Sequence, residues 1–294
     1  MEHSVELSRK QVIEDPVFTV VIPVRNRWGA RLRNCIKSIT LQTIQPIEII
    51  VADYGSTMEG HKEILKTVRP FDCFVYYYPT DEIWNLALAR NMGIRRSNSS
   101  CEYVAVVDAD LVLEARVVET LLEGHLSRPR SYISCFIRML KLELGKSDQP
   151  RELQMPEDFS KLKETEFWPS AGWGGLVSAS RSWLFSVRGF DERMKFWGAE
   201  DADLWKRAGL AGMDRYRLND LGREEAEVYH QWHDDCLSRL SRGPGDTIIL
   251  TKAESNQITW NKAMYRRDHT IMRNNENWGL WKPQKAEEDR FRYG

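Results

Sequence analysis

From Phe18 onward, short apolar runs alternate with longer stretches of helical spacing, and that alternation leaves few folds open. "FTVVIPV" reads as a buried strand, and "GARLRNCIKSITLQ" places Leu32, Cys35, Ile36 and Ile39 on one helix face. "IEIIVADYGS" then predicts a second strand, "MEGHKEILKTV" a helix and "DCFVYYYP" a third strand. "NLALARNMGIRRS" predicts another helix, "EYVAVVDADLVL" a fourth strand and "ARVVETLLEGHL" a further helix. Strand–helix alternation of this kind builds a parallel sheet with right-handed crossovers and helices on its faces. The expected class is α/β, with a mostly parallel sheet.

Ligands in such sheets gather at the carboxyl ends of the strands. The first expected strand ends near Arg25 and Arg27, the second at Asp53, and the fourth runs into Asp108 and Asp110. Two carboxylates two residues apart on an extended chain share a face and repel each other. A divalent cation is the compensation that suits them, since magnesium or manganese takes a few carboxylate oxygens and keeps positions for phosphate. "EVYHQWHDD" supplies His230 and His233 as candidate third ligands, and imidazole tilts the metal towards manganese. "AGWGGLVSASRSWLF" surrounds Trp173 with glycines that let a backbone approach a ligand, or that simply form a tight turn. "FWGAEDADLWKRA" places Trp197 and Gly198 before Glu200, Asp201 and Asp203 at the start of a helix. Acidic residues are expected there on dipole grounds alone. The aromatic–glycine turn adds a floor with a base beside it.

Composition narrows the partners. Among 294 residues, 42 basic and 43 acidic side chains nearly cancel, so no global field attracts nucleic acid or a membrane surface. Five scattered cysteines never form a C-x-x-C pair, which argues against a disulfide framework or a structural zinc site. Eleven tryptophans, several beside glycine, suggest apolar walls for ring-shaped ligands. No apolar run approaches a membrane span, and the N-terminus is charged throughout. The expectation is a cytoplasmic protein, at most peripheral at the membrane, with its oligomeric state left open. Residues 141–167 are polar and aperiodic and are expected to form a long loop, and residues 241–294 a tail or helical extension packed on the main domain.

Taken together, these elements resemble the GT-A nucleotide-sugar glycosyltransferases, closest to glycosyltransferase family 2 and the β-1,4-galactosyltransferases with the related bacterial chondroitin-type synthases. "VVIPVRNR" is similar to the galactosyltransferase opening I-I-P-F-R-N-R, and "VADYGS" to the family 2 strand whose aspartate reads uracil. "ARNMGI" is similar to A-R-N-x-G, and "VVDAD" to the D-x-D element. "WGGLVSASRSWLFSVRGFDERMKFWGAEDADLWKR" tracks F-G-G-V-S-A-L, G-F and W-G-W-G-G-E-D-D-D in order. The likeness covers roughly residues 18–235. It implies a Rossmann-like GT-A domain over 18–240 after a lead-in at 1–17, with a nucleotide-binding half at 18–115 and an acceptor- and metal-binding half at 168–235. It also implies roles. Arg25 and Arg27 would contact the nucleotide and Asp53 the uracil. Arg90, Asp108, Gly174, Gly175 and Trp197 would complete the donor site. Asp110 would bind Mn2+ or Mg2+ directly, with Asp108 at the metal or its water shell and His230 completing the site, His233 being the alternative. Glu200 and Asp201 would flank the acceptor, with Asp201 as general base.

The implied reaction moves a sugar from a nucleotide diphosphate, UDP-linked, to a saccharide, lipid-linked or small-molecule hydroxyl with inversion. Retaining relatives carry Glu-Asn where this chain has Glu200-Asp201, and D-x-H where it has D-x-D. Departures limit the analogy. Gly172 replaces a tyrosine that shapes the galactose pocket, so galactose is not implied, and Tyr54 replaces the usual second aspartate of D-D-G-S. The Golgi anchor, stem and disulfides are also missing from this sequence, which fits a bacterial-type enzyme better. A sugar-nucleotide-forming nucleotidyltransferase would need a glycine-rich, lysine-bearing phosphate loop, and "PVRNRWGARL" lacks one. A retaining transferase and a non-catalytic carbohydrate-binding relative of the same fold remain as alternatives.

Overall fold

In β1 (Phe18–Val24) every residue is buried, the pattern of a strand covered on both faces. The computed structural model describes residues 15–139, 174–231 and 251–280. Parallel to β1 lie β2 (Ile47–Tyr54) on one side and β4 (Tyr103–Val107) on the other, and β3 (Phe74–Tyr78) continues beyond β2. Beyond β4 the sheet continues with β8 (Leu176–Ser180), β6 (Ser131–Ser134) and β9 (Asp214–Arg217), in the order β3-β2-β1-β4-β8-β6-β9. β8 is antiparallel to both β4 and β6, so the sheet is mostly rather than wholly parallel.

Alternate side chains of β1 meet different layers. Val20, Ile22 and Val24 join a core with Leu32, Ile36 and Ile39 of α1 (Ala30–Thr40), Ile64 and Val68 of α2 (Met58–Val68), and Val117 and Leu121 of α4 (Val117–Ser127). Val21 joins the opposite core with Ala87 and Ile94 of α3 (Leu86–Arg96), Leu184 of α5 (Arg181–Ser186) and Leu204 of α6 (Glu200–Leu210). α2 begins where the Thr57 hydroxyl accepts from the Gly60 N–H, and α3 where Asn85 accepts from the Leu88 N–H. A last helix, α7 (Lys252–Arg267), carries a capping box formed by Thr251 and Glu254.

One expectation fails in a way that matters for the site. The fourth strand does not continue through the two aspartates. β4 stops at Val107, and the chain turns at Asp108–Asp110, where the Leu111 N–H donates to the Asp108 carbonyl at 3.0 Å. It re-emerges as β5 (Leu111–Leu113) at the edge of a separate three-stranded sheet of order β5-β10-β7. There β10 (Val228–His230) pairs antiparallel with β5 and parallel with β7 (Ile137–Met139). The carboxylates therefore do not share the face of a strand. The turn separates them, and the small sheet brings His230 opposite Leu111. The 141–167 loop lies outside the described residues.

Candidate functional site

Three chain segments distant in sequence converge where β4 ends. Asp108 and Asp110 come from the turn after β4, and Glu200 and Asp201 from the first turn of α6. Arg90 rises between them from the buried face of α3. Its guanidinium, 1% exposed, sits 2.5 Å from Asp201 Oδ1 through Nη1 and 3.0 Å from Asp108 Oδ1 through Nη2, with Glu200 Oε1 at 3.7 Å. The Phe190 ring lies 5.0 Å from the same guanidinium. Burial works against the charge on Arg90, but Asp201, Asp108 and Glu200 outweigh it and keep it protonated. One cation thus serves three carboxylates. Loss of water raises Asp201 well above the ordinary carboxylate range, with Arg90 opposing the rise. Asp108 is raised for the same reasons.

Asp110 belongs to a second cluster. Its Oδ2 accepts from Arg27 Nη1 at 2.6 Å and faces His230 Nε2 at 3.6 Å. Two ligands of one ion, each about 2.1 Å from it, lie at most about 4.2 Å apart, so this carboxylate and imidazole fit a shared divalent cation. No group of three His, Cys, Asp or Glu side chains is close enough to enclose a metal among the described residues. A two-ligand site of this kind leaves the remaining positions to phosphate oxygens and water. His233 lies outside the described residues.

The expected glycines have a structural reason. A Cβ on Gly174 would stand 2.1 Å from Asp201 Oδ2. Gly175, with φ +86°, accepts at its carbonyl from the Asp108 N–H at 2.7 Å. Both let the backbone entering β8 pass close to the carboxylates. Trp197 is half-buried, 5.9 Å from the Phe196 ring, and its indole Nε1 is buried with no hydrogen-bond partner among the described residues. Glu200 Oε2 is likewise buried with no partner among the described residues.

At the β1–β2 end, Arg25 turns to the Glu82 carbonyl at 2.7 Å, and its guanidinium lies 3.2 Å from the place a Cβ on Gly55 would take. Asp53 is fully buried, and its Oδ2 lies 2.7 Å from Nδ1 of His61, whose ring stacks on Tyr77 at 3.9 Å. A carboxylate only accepts, so His61 donates from Nδ1. Asp53 Oδ1 and His61 Nε2 are buried with no hydrogen-bond partner among the described residues. Sequence reasoning missed His61. Its signal was a histidine in the buried stripe His61, Ile64 and Val68 of α2.

The family model described as "Glycosyl transferase family 2" matches residues 19–193, well over half of the chain. The chain belongs to glycosyltransferase family 2. A second model, "N-terminal domain of galactosyltransferase", matches residues 159–234, the stretch that carries Gly174, Gly175, Glu200, Asp201 and His230. The chain is 26% identical to a chondroitin synthase of Escherichia coli over 82% of its own length and 38% of that protein's. It is 24% identical to a validoxylamine A glucosyltransferase of Streptomyces hygroscopicus subsp. limoneus over 67% of its length and 49% of the relative's. The chain thus spans less than half of either curated relative. Among solved structures it resembles GalNAc-T7 with UDP, GalNAc and Mn2+, at TM-score 0.55 and 16% identity, covering 76% of this chain and 45% of that one. It also resembles a mannosyltransferase from Pyrobaculum calidifontis with GDP-Man and Mn2+, at TM-score 0.50 and 18% identity, covering 89% and 74%. Those likenesses establish the shared GT-A fold. No helix among the described residues is long and apolar enough to cross a membrane.

Proposed function

We propose that this family 2 chain is an inverting glycosyltransferase that moves a sugar from a nucleotide diphosphate, UDP-linked, to an acceptor hydroxyl, with Asp201 as general base. The observation that carries the reading is the single buried guanidinium of Arg90 touching both Asp108 and Asp201. It joins a carboxylate of the β4 turn, assigned to the donor, to a carboxylate of α6, assigned to the acceptor, within the span of one side chain. A hydroxyl is a poor nucleophile until its proton is taken, and a positioned base contributes ~10²–10⁴-fold. A base whose affinity for protons is raised by loss of water, as at Asp201, removes that proton more effectively near neutral pH. Glu200, buried beside it, holds an unpartnered oxygen that can accept from the same acceptor.

Asp110 and His230 are the residues that would hold a divalent cation, which when bound neutralises the departing diphosphate. Arg27 holds Asp110 at 2.6 Å and would pass to a phosphate oxygen as the donor enters. Asp53 is assigned to the base of the nucleotide. Its unpartnered Oδ1 suits a ring N–H, which uracil presents, although the carboxylate must first be uncovered.

The test is a thermal-shift panel of UDP, GDP, TDP and CDP, each with and without manganese. A nucleotide at 100 times its dissociation constant stabilises by about 2.7 kcal/mol, a midpoint shift of roughly 5–10 °C in a chain of this size. The expected result is a shift with UDP that needs manganese and vanishes in Asp110→Ala. A response to GDP alone overturns the role of Asp53 and keeps the transferase. Silence towards every nucleotide, from folded protein, overturns the donor site.

A further inference from the structure

The turn that delivers Glu200 and Asp201 is strained and has no cap of its own. Phe196, Gly198 and Ala199 all have positive φ, at 65°, 100° and 74°. For Phe196 and Ala199 that region is strained, and such residues persist only where neighbours hold them. Ala199 is also the residue before α6, and no side chain among the described residues caps that helix start. The position of the two carboxylates therefore depends on what grips Lys195–Ala199 from outside.

Among the described residues the turn is gripped from two sides. On one side the Phe196 N–H donates to the Trp84 carbonyl at 2.5 Å, and the Leu86 N–H to the Phe196 carbonyl at 3.4 Å, tying the turn to the start of α3. On the other side stands Asn261 of α7, fully buried. Its Nδ2 donates to the Lys195 carbonyl at 2.9 Å and the Trp197 carbonyl at 3.3 Å, while its Oδ1 accepts from Gln257 at 2.9 Å. Ile258, one turn earlier on α7, lies 3.5 Å from where a Cβ on Gly198 would stand.

The last turn of α7 and the segment after it fasten the rest of α6. Lys206 donates to the carbonyls of Tyr265 at 2.7 Å and Asp268 at 3.1 Å, and Arg207 to that of Ile271 at 3.2 Å. Arg273, whose side chain has no exposed surface, pairs with buried Asp203 at 2.9 Å. Asn274 donates to the Arg188 and Phe190 carbonyls, bracing the loop beneath Arg90.

We propose that Asn261 is a positioning residue for transfer: α7 reaches across from the C-terminal extension to fix, through the Asn261 amide, the strained turn that sets Glu200 and Asp201 against the acceptor. This rests on the reading of Glu200 and Asp201 as the acceptor-activating pair. Asn261 then acts on the site through the turn alone, since neither carboxylate is touched by the residue that places it.

The test reads amide hydrogen exchange and turnover in the same full-length variants. In Asn261→Ala and in near-isosteric Asn261→Asp, which replaces the donor with a carboxylate facing two carbonyls, amides of Phe196 and Asp203 should exchange faster. Those of β1 and β4 should be unchanged. With a sugar nucleotide that the wild type turns over, kcat should fall by ~10- to 100-fold, the cost of misplacing a reacting group by about an ångström. The donor KM should change far less than kcat, because among the assigned donor residues Trp197 lies on the turn that Asn261 holds, whereas Arg25, Arg27, Asp53, Asp108 and Asp110 are carried by other elements. Asn261→Ser, which keeps one donor, should recover part of both effects, and it replaces the other two variants if they fail to fold. Lys262→Ala, an exposed neighbour on α7, should alter neither readout. Unchanged exchange at residues 196–203, or faster exchange confined to α7, overturns the proposal, as does a wild-type kcat in Asn261→Asp. If the exchange result appears but the wild type transfers no sugar, the brace stands and the proposed function fails.

Discussion

Arg90 carries the largest electrostatic load of any residue in the site. A guanidinium that is 1% exposed survives there only because Asp108, Glu200 and Asp201 surround it. Removing it leaves buried carboxylates without their cation, so Asp201 should be raised further. A base must be ionised to act, so activity is lost as pH falls through its pKa, and a raised pKa moves that loss to higher pH. Arg90→Ala should therefore shift the acid limb of the kcat/KM profile to higher pH and lower its plateau by ~10²-fold or more. Arg90→Lys, a single point charge without the fork, should keep the charge but recover little of the plateau. An acid limb that stays in place would exclude Asp201 as the group seen in the profile. The sequence made Arg90 visible only as part of "ARNMGI"; that it links the two halves of the site follows from the packing of α3.

Elements show where local patterning suffices and where it does not. The boundaries of α2 match the stretch "MEGHKEILKTV" that the sequence predicts, because a Thr57 cap and a periodic apolar stripe are both local features. The strand through Asp108 was misread for the opposite reason. "VAVV" and "LVL" are equally apolar, and only the competition between two sheets for β4 and β5 breaks the chain between them. α3 supplies the prediction at this scale. Gly93 lies in mid-helix, where alanine ordinarily gains about 1 kcal/mol. Here a Cβ would come 2.2 Å from Val21 Cγ1, and Val21 is β-branched and stiff. The clash should win, and Gly93→Ala should lower stability by about 1–3 kcal/mol in urea melts. A stabilised variant would show that α3 can lift from β1 at little cost.

Across the whole molecule, buried polar groups join layers that apolar packing alone would leave free to slide. His125 of α4 is the clearest case. It is fully buried, with Nδ1 2.7 Å from Ser131 Oγ of β6 and Nε2 2.8 Å from Ser178 Oγ of β8. Its ring stacks on Tyr103 at 4.5 Å. Burial lowers its pKa from 6.5 to about 4. The unfolded chain therefore binds a proton that the folded chain refuses between those values. Stability is complete above pH 6.5 and declines as pH falls towards 4, by up to roughly 3 kcal/mol from this group. Urea melts at pH 7 and pH 4.5 should show that loss in the wild type and a smaller one in His125→Gln, whatever the variant's absolute stability. Equal losses would assign the acid sensitivity to other groups.

The sequence by itself determined the layers. Period-two and period-3.6 patterns are properties of neighbouring residues, and they place Arg25, Arg27, Asp53 and the two aspartates at one edge without reference to the rest of the chain. Motif order identified the family for the same reason, since it is read along one dimension. Tertiary structure decided how those residues meet. The pairing of β10 with β5 sets His230 beside Asp110, the approach of α6 to α3 gives Asp201 and Asp108 one shared guanidinium, and α7 returns Asn261 to a turn more than sixty residues earlier. Each of these depends on which surfaces lose water together, and that is settled by the packed chain as a whole rather than by any stretch of it.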